Sequence, residues 1–285
     1  MNTTQQDWQE RIDAARKTLE QRLDEDVSLE ELADIALYSP FHFHRLFRAL
    51  TGETVREHVR RLRLERAAHH LVHAATDILN IALTARYDSH EAFTRAFKSR
   101  FGIPPSEFRA QKREIRAVRI TKCKEFNMDV RIESRSDEHI AFVRHTGAYN
   151  DVGAAWGTLM KWGWTKMMFG KPDTFGLCHD DPDVTPAEKL RYDACMVVDA
   201  KTKTKGDIQT RVLPAGHFAV TLHNGALDQI SSTYAKLFAR VESGPIQNQS
   251  WRLGDPPSLE KYLTDPRKVK PDEMKTEIWM PVHAA

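Results

Sequence analysis

The sequence predicts a protein of two parts. The first is an all-α N-terminal domain with two helix-turn-helix hairpins. The second is an α+β domain of two similar strand-strand-helix-strand-strand units. Three observations predict this. Between residues 28 and 109 one helical pattern occurs twice, about fifty residues apart. From Met128 onward the pattern changes to short strands and turns, and a second repeat appears there, first at an offset of 78 and then of 84. The length of 285 residues also exceeds a typical single domain. The expected boundaries are residues 1–110, a basic connector at 111–126, and 127–285.

In the opening stretch Trp8, Ile12, Ala15, Leu19 and Leu23 recur at helical spacing, so a first helix should lay that face on the first hairpin. Ser28 with Glu31 has the form of a capping box, and Ser39 followed by Pro40 reads as an N-cap with proline at the first helical position. The helix that follows carries Phe43, Leu46, Phe47 and Leu50 on one stripe, which leaves Phe41, His44, Arg45 and Arg48 to point elsewhere.

Ser39, Phe43, Arg45, Phe47, Arg48 and Gly52 return fifty residues later as Ser89, Phe93, Arg95, Phe97, Lys98 and Gly102. Upstream, Leu32, Ala33, Ala36 and Tyr38 return at offset 49 as Ile81, Ala82, Ala85 and Tyr87, so the second turn gains one residue. A helix that buries its phenylalanines and exposes an arginine near its N-terminal end suits the major groove of double-stranded DNA. Two ordinary helical hairpins would show the apolar stripes, but not exposed arginines in register. Arg45 and Arg95 are therefore the candidate base readers, supported by Phe41, His44, His90 and Thr94.

Between the hairpins, residues 55–74 read as a longer spacer helix with Val55, Val59, Leu62 and Leu71 inward and Arg56, Arg60, Arg61 and Arg63 mostly outward. Charge is uneven along the chain despite a net charge of only +2. Residues 1–34 hold ten acids against four bases, while residues 35–124 hold eighteen bases against eight acids, a balance suited to phosphates. The connector contains neither glycine nor proline, so it is not a loose tether. No secretory leader or apolar run of spanning length is visible, which predicts a cytosolic protein with no membrane partner. Cys123, Cys178 and Cys195 form no paired framework, and the thirteen histidines show no metal-ligand spacing. Neither a metal nor a cofactor is expected.

The N-terminal stretch, over residues 8 to 110, resembles the DNA-binding domain of AraC/XylS-family transcription regulators. The most specific part is Phe-Gly-Ile-Pro-Pro-Ser-Glu-Phe-Arg at 101 to 109. The family often has glycine in each hairpin turn, where this chain has Leu37 and Arg86. A positive φ at those positions would strain each by about 1 kcal/mol.

In the second half, His139 to Tyr149 returns as His217 to Leu227, with Trp156 matching Tyr234 and Leu159 matching Leu237. Asp181-Pro182 then matches Asp265-Pro266, Leu190-Arg191-Tyr192-Asp193 matches Met274-Lys275-Thr276-Glu277, and Met196 matches Met280. Two units facing each other create a cleft, and differences between copies mark where it is specialised. Gly176 and Cys178 of the first copy stand where the second has Glu260 and Tyr262, so the small residues should leave room opposite a carboxylate and a phenol. Trp156 and Tyr149 could supply aromatic walls. Such a site favours a small aromatic or cationic molecule.

Residues 128 to 283 resemble the GyrI-like effector-binding domain, through Arg144-His-Thr-Gly-Ala-Tyr149, His179-Asp-Asp-Pro182, Lys189-Leu-Arg-Tyr-Asp-Ala194 and Glu260-Lys-Tyr262. That family's central glutamate takes part in ligand binding, which carries over to Glu260; its usual preceding aromatic is Leu259 here. The two resemblances together imply a bacterial one-component regulator, an activator with RNA polymerase as partner. The alternative is a hydrolase using Glu260 as a base on water. No G-x-S-x-G, evident Cys-His pair or phosphate loop supports catalysis, so no catalytic residue is assigned.

Overall fold

A computed structural model of the chain describes residues 3–73, 76–123, 128–168, 172–182, 184–204, 206–255, 257–265 and 268–285. It divides into two compact units, Met1–Lys112 and Arg113–Ala285. No described helix is long and apolar enough to cross a membrane.

Seven helices build the first unit and the start of the second: α1 (Thr3–Gln21), α2 (Leu29–Ile35), α3 (Pro40–Thr51), α4 (Val55–His73), α5 (Ile78–Thr84), α6 (His90–Phe101) and α7 (Pro105–Cys123). Local chemistry sets their ends. The Ser28, Ser39, Asp77 and Ser89 side chains each accept a backbone N–H of the following turn, which satisfies donors that helix geometry leaves open. Gly52 and Gly102 end α3 and α6 at φ 74° and 82°, where a Cβ would be strained. Ser28 makes only half of the expected box, because the Glu31 carboxylate pairs with Arg22 instead.

Ile12, Ala15 and Leu19 of α1 pack with Leu32, Ala33, Ala36, Phe43, Phe47 and Val55 in one core. Two residues expected inside are not. Trp8 is 40% exposed and Leu50 is 44% exposed, since helical periodicity does not tell where a helix overruns the core. The connector expected at 111–126 is helical as far as Cys123; residues 124–126 and the Cys123 side chain lie outside the described residues.

The second unit holds β1 (Arg131–Arg135), β2 (Glu138–Thr146), α8 (Gly153–Met168), β3 (Thr174–Cys178), β4 (Arg191–Val197), β5 (Gln209–Leu213), β6 (Gly216–Asn224), α9 (Ile230–Glu242), β7 (Trp251–Leu253), β8 (Ser258–Tyr262) and β9 (Lys275–Ala284). Each repeat is strand, strand, helix, strand, strand, with β7 as an addition in the second. Pro266, one of the repeat-matched residues, lies outside the described residues.

The repeats do not face each other across a gap. They lie edge to edge in one nine-stranded sheet of order β1-β6-β9-β8-β3-β4-β2-β5, with β7 on β9. Each repeat hands its first strand to the other, β1 pairing with β6 and β5 with β2. At the centre β3 meets β8 antiparallel, and Gly176 lies opposite Glu260, its own repeat counterpart. The order reads the same from both ends, so a local two-fold axis passes through this pair.

Strand alternation gives the sheet two faces. One carries Ala141, Val143, Ala194 and Met196 under α8, and Ala219, Ile278 and Met280 under α9. The other buries Ile140, Phe142, Phe175, Cys195, Phe218 and Leu259. Arginines cover that second cluster: Arg135 lies 4.7 Å from the Phe175 ring and 5.4 Å from the Trp279 ring, and Arg211 lies 4.7 Å from the Phe142 ring.

Candidate functional site

In the helical unit, Phe43 and Phe47 of α3 and Phe93 and Phe97 of α6 are fully buried, which turns the remaining faces outward. Phe41 is 74% exposed, and the Arg45 guanidinium lies 5.8 Å from its ring. His90 and Arg95 are exposed and His44 is half-buried. Thr94 differs from the other candidate readers: its hydroxyl oxygen is enclosed and has no hydrogen-bond partner among the described residues.

A buried ionic network lies behind these surfaces and departs from the outward arginines expected of the spacer. Arg56 and Arg60 are exposed, but Arg61 donates to Glu53 at 2.8 Å and to Glu65 at 2.9 Å. Arg63 turns back to the carbonyls of Leu23 and Glu25, at 2.9 and 3.1 Å. Glu65 also accepts from Arg100 of α6 at 2.9 Å, so α4 grips the second hairpin through one enclosed carboxylate. Burial alone would raise the Glu53 carboxyl, but hydrogen bonds from His58 and Arg61 hold it well below the ordinary range. Burial in turn lowers His58. The reason for the mismatch is that hydrophobic periodicity does not weigh charged partners: Glu53 and Glu65 draw in an arginine that periodicity alone would leave in solvent.

The hairpin turns hold Leu37 at φ 58° and Arg86 at φ 64°. Both are left-handed, the conformation that glycine adopts without cost.

In the sheet unit, Glu260 is buried on the helix-covered face and both carboxylate oxygens are occupied. Oε1 accepts the Tyr234 hydroxyl of α9 at 3.2 Å, and Oε2 accepts the Tyr262 hydroxyl at 3.0 Å. Tyr262 has one proton and gives it to Glu260. Its oxygen, 3.0 Å from the Tyr192 oxygen, must therefore accept from Tyr192. Tyr192 in turn accepts the Trp156 indole N–H at 3.0 Å. The result is a chain of donors with one direction, Trp156 to Tyr192 to Tyr262 to Glu260. Trp156 also meets the Tyr262 ring edge-on, with centroids 5.7 Å apart. Burial pushes the Glu260 carboxyl up, against the lowering effect of the Tyr262 and Tyr234 hydrogen bonds. Burial likewise pushes the thiol of nearby Cys178 well above its ordinary value.

Two expectations change here. The space over Gly176 is not open, because a Cβ there would collide with the Tyr192 hydroxyl. Cys178 lies beside Ser258 rather than opposite Tyr262. Tyr149 packs its ring 6.0 Å from Tyr192, but its hydroxyl is committed to the Asp180 carbonyl at 2.8 Å.

Tyr192 and Tyr234 escaped the sequence reading, although signals existed for both. Tyr192 sits inside the Lys189–Ala194 motif, and Tyr234 is the repeat counterpart of Trp156.

Comparison with known proteins gives two family matches. Residues 32–111 match a helix-turn-helix domain, and residues 128–283 match the GyrI-like small molecule binding domain. The chain is 42% identical over 91 residues to the Right origin-binding protein of Escherichia coli (strain K12), covering 32% of this chain and 32% of that one. It thus spans about a third of that relative's length. It is 38% identical over 95 residues to the probable transcription factor PqrA of Proteus vulgaris, covering 33% of this chain and 78% of that one. Among solved structures, the EcmrR C-terminal domain aligns over 56% of this chain and 100% of that chain at 19% identity, with a TM-score of 0.43. By these family matches, the chain belongs to the GyrI-like small molecule binding family and carries, ahead of that domain, the helix-turn-helix domain of the AraC/XylS family.

Proposed function

We propose that this chain is a one-component transcription regulator that reads double-stranded DNA through residues 1–110 and binds a small molecule through residues 127–285, with 111–126 between them. The observation that carries the DNA reading is the duplication of an exposed arginine, Arg45 and Arg95, on helices whose phenylalanines are buried. Each offers a bidentate fork to guanine, and losing a good base contact costs about 1–3 kcal/mol of discrimination. Phe41, His44 and His90 flank them as exposed or half-buried neighbours; Thr94 would contribute through its methyl group. Its mode of action is activation through RNA polymerase, a reading that rests on family resemblance.

The effector is a small cation with an aromatic body. Glu260 supplies the negative charge, while Tyr262, Trp156 and Tyr149 supply the ring surfaces. The domain acts as a binder rather than a catalyst. The adjacent Cys178 thiol is pushed away from ionisation, so it is not a ready nucleophile.

Binding-site selection with wild type, Arg45→Ala and Arg95→Ala tests the DNA reading. Each variant should relax the preference in one half of the site, and unchanged preference in both would refute the assignment. Glu260→Gln should weaken an aromatic cation at least tenfold and leave a neutral isostere within twofold. An equal loss for both would refute the effector reading.

A further inference from the structure

The local two-fold axis permits a comparison within the molecule. In the first repeat Tyr192 reaches over Gly176, and its hydroxyl is used twice, by Trp156 and Tyr262. Its counterpart in the second repeat is Thr276, a much shorter side chain. Thr276 is fully buried, and its hydroxyl oxygen has no hydrogen-bond partner among the described residues. A hydroxyl taken out of water and left unpaired is destabilising, and such groups in a native core call for a reason.

The neighbours of Thr276 explain why the protein itself does not satisfy it. In the sheet register Thr276 lies between Tyr262 on β8 and His223 on β6, all on the face that carries Glu260. The Tyr262 hydroxyl already donates to Glu260 and accepts from Tyr192. His223 is used at both nitrogens, with Nδ1 2.8 Å from the Thr233 hydroxyl and Nε2 3.1 Å from the Ala226 carbonyl. Glu260 itself, diagonal to Thr276 across β8 and β9, accepts from Tyr234 and Tyr262 and not from Thr276. One hydroxyl is left over on this face, beside the carboxylate on which the effector reading rests.

We propose that Thr276 is a ligand-contacting residue of the Glu260 pocket, and that its hydroxyl pairs with a hydroxyl or carbonyl group of the effector while Glu260 takes the cationic end. The effector class is thereby narrowed from aromatic cations in general to aromatic cations that carry a second, neutral polar group. Directly opposed and diagonal strand neighbours lie roughly 5 and 7–8 Å apart, which sets the separation of the two polar groups on the ligand. This inference rests on the effector reading of the same pocket.

The matched amines phenethylamine and tyramine, identical except for one phenolic hydroxyl, test it by calorimetry on the full chain. Wild type should bind tyramine about fivefold to tenfold more tightly, as expected for one neutral hydrogen bond to a preorganised group. Thr276→Val should abolish that preference and leave phenethylamine within twofold, and Thr276→Ser should restore it. Without ligand, Thr276→Val should melt at or above the wild-type temperature, because it replaces an unpaired hydroxyl with a methyl group.

A tyramine preference that survives in Thr276→Val would overturn the inference. So would a clear drop in melting temperature, which would mean that the hydroxyl is bonded within the protein. Glu260→Gln separates the two levels: it should weaken both amines. If it does and only the Thr276→Val result fails, the pocket reading stands and this inference falls. If Glu260→Gln changes neither amine, or wild type binds neither, the pocket reading falls and takes this inference with it.

Discussion

Asp193 is the residue whose loss should cost the sheet unit most. It lies on β4, fully enclosed, on the face away from Glu260. Arg144 donates to it through Nε and through Nη2 at 3.0 Å, Arg211 donates at 2.9 Å, and His179 Nε2 lies 2.8 Å from the same oxygen. Burial alone would raise its carboxyl, but Arg144 and His179 outweigh that and hold it well below the ordinary range. Asp193→Asn keeps the shape, removes the charge, and turns an amide N–H₂ toward guanidinium donors. Breaking a buried pair in this way costs about 3–5 kcal/mol, because the arginines are left uncompensated. Urea unfolding followed by tryptophan fluorescence reads this unit, which holds Trp156, Trp162, Trp164, Trp251 and Trp279. With a slope of about 2 kcal/mol per molar, the midpoint should fall by about 2 M. A fall of less than about 0.5 M would refute the reasoning, since it would mean that the two arginines tolerate the loss by reaching solvent.

Other outcomes follow from single features. Leu37 is 73% exposed at φ 58°, so Leu37→Gly loses little packing and should stabilise the helical unit by up to about 1 kcal/mol in chemical denaturation; a loss of stability would count against strain there. His179 is lowered to about 4, chiefly by burial, from an ordinary value near 6.5. The unfolded chain then binds a proton that the folded chain refuses, so stability should be unaffected above pH 6.5 and fall by about 3 kcal/mol as pH drops to 4. His179→Gln should flatten that part of the pH profile, and an unchanged slope would point to other groups. Tyr262→Phe removes a donor from Glu260 and should raise its carboxyl further. The pH midpoint for binding benzyltrimethylammonium, which does not titrate, should therefore move upward; a downward move would show that Tyr262 does not stabilise the charged form.

Much of this fold was legible in the chain because duplication makes residues testify twice. The helix starts at Ser28, Ser39 and Ser89, the buried phenylalanines and the order of strands in each repeat all follow from local spacing. What stayed hidden depends on partners distant in sequence. Arg63 is indistinguishable from Arg60 by periodicity, and only the carbonyls of Leu23 and Glu25, on a segment about forty positions earlier, draw it inward. Glu260 stood out as a carboxylate in place of a glycine, yet its surroundings needed the strand register. Tyr192 reaches the Glu260 cluster from β4 through Tyr262 and Tyr234 reaches it from α9, and no spacing rule joins either to residue 260. The exchange of first strands was also illegible, since consecutive strands separated by two residues suggest hairpins.

That exchange bears on how such a domain could arise and be dismantled. A single copy of the repeat, with its first strand reaching across a two-fold axis, is by itself half of a swapped homodimer; fusing two such genes would convert an association between chains into folding within one. The fused product cannot be halved again without consequence. A cut in the segment between β4 and β5 would yield fragments that each lack an outer strand held by the other, so neither could complete its edge until both met. Assembly must also await pairing between residues more than eighty positions apart, as Arg131 with Val220 shows, which places this half among topologies that fold slowly for their size.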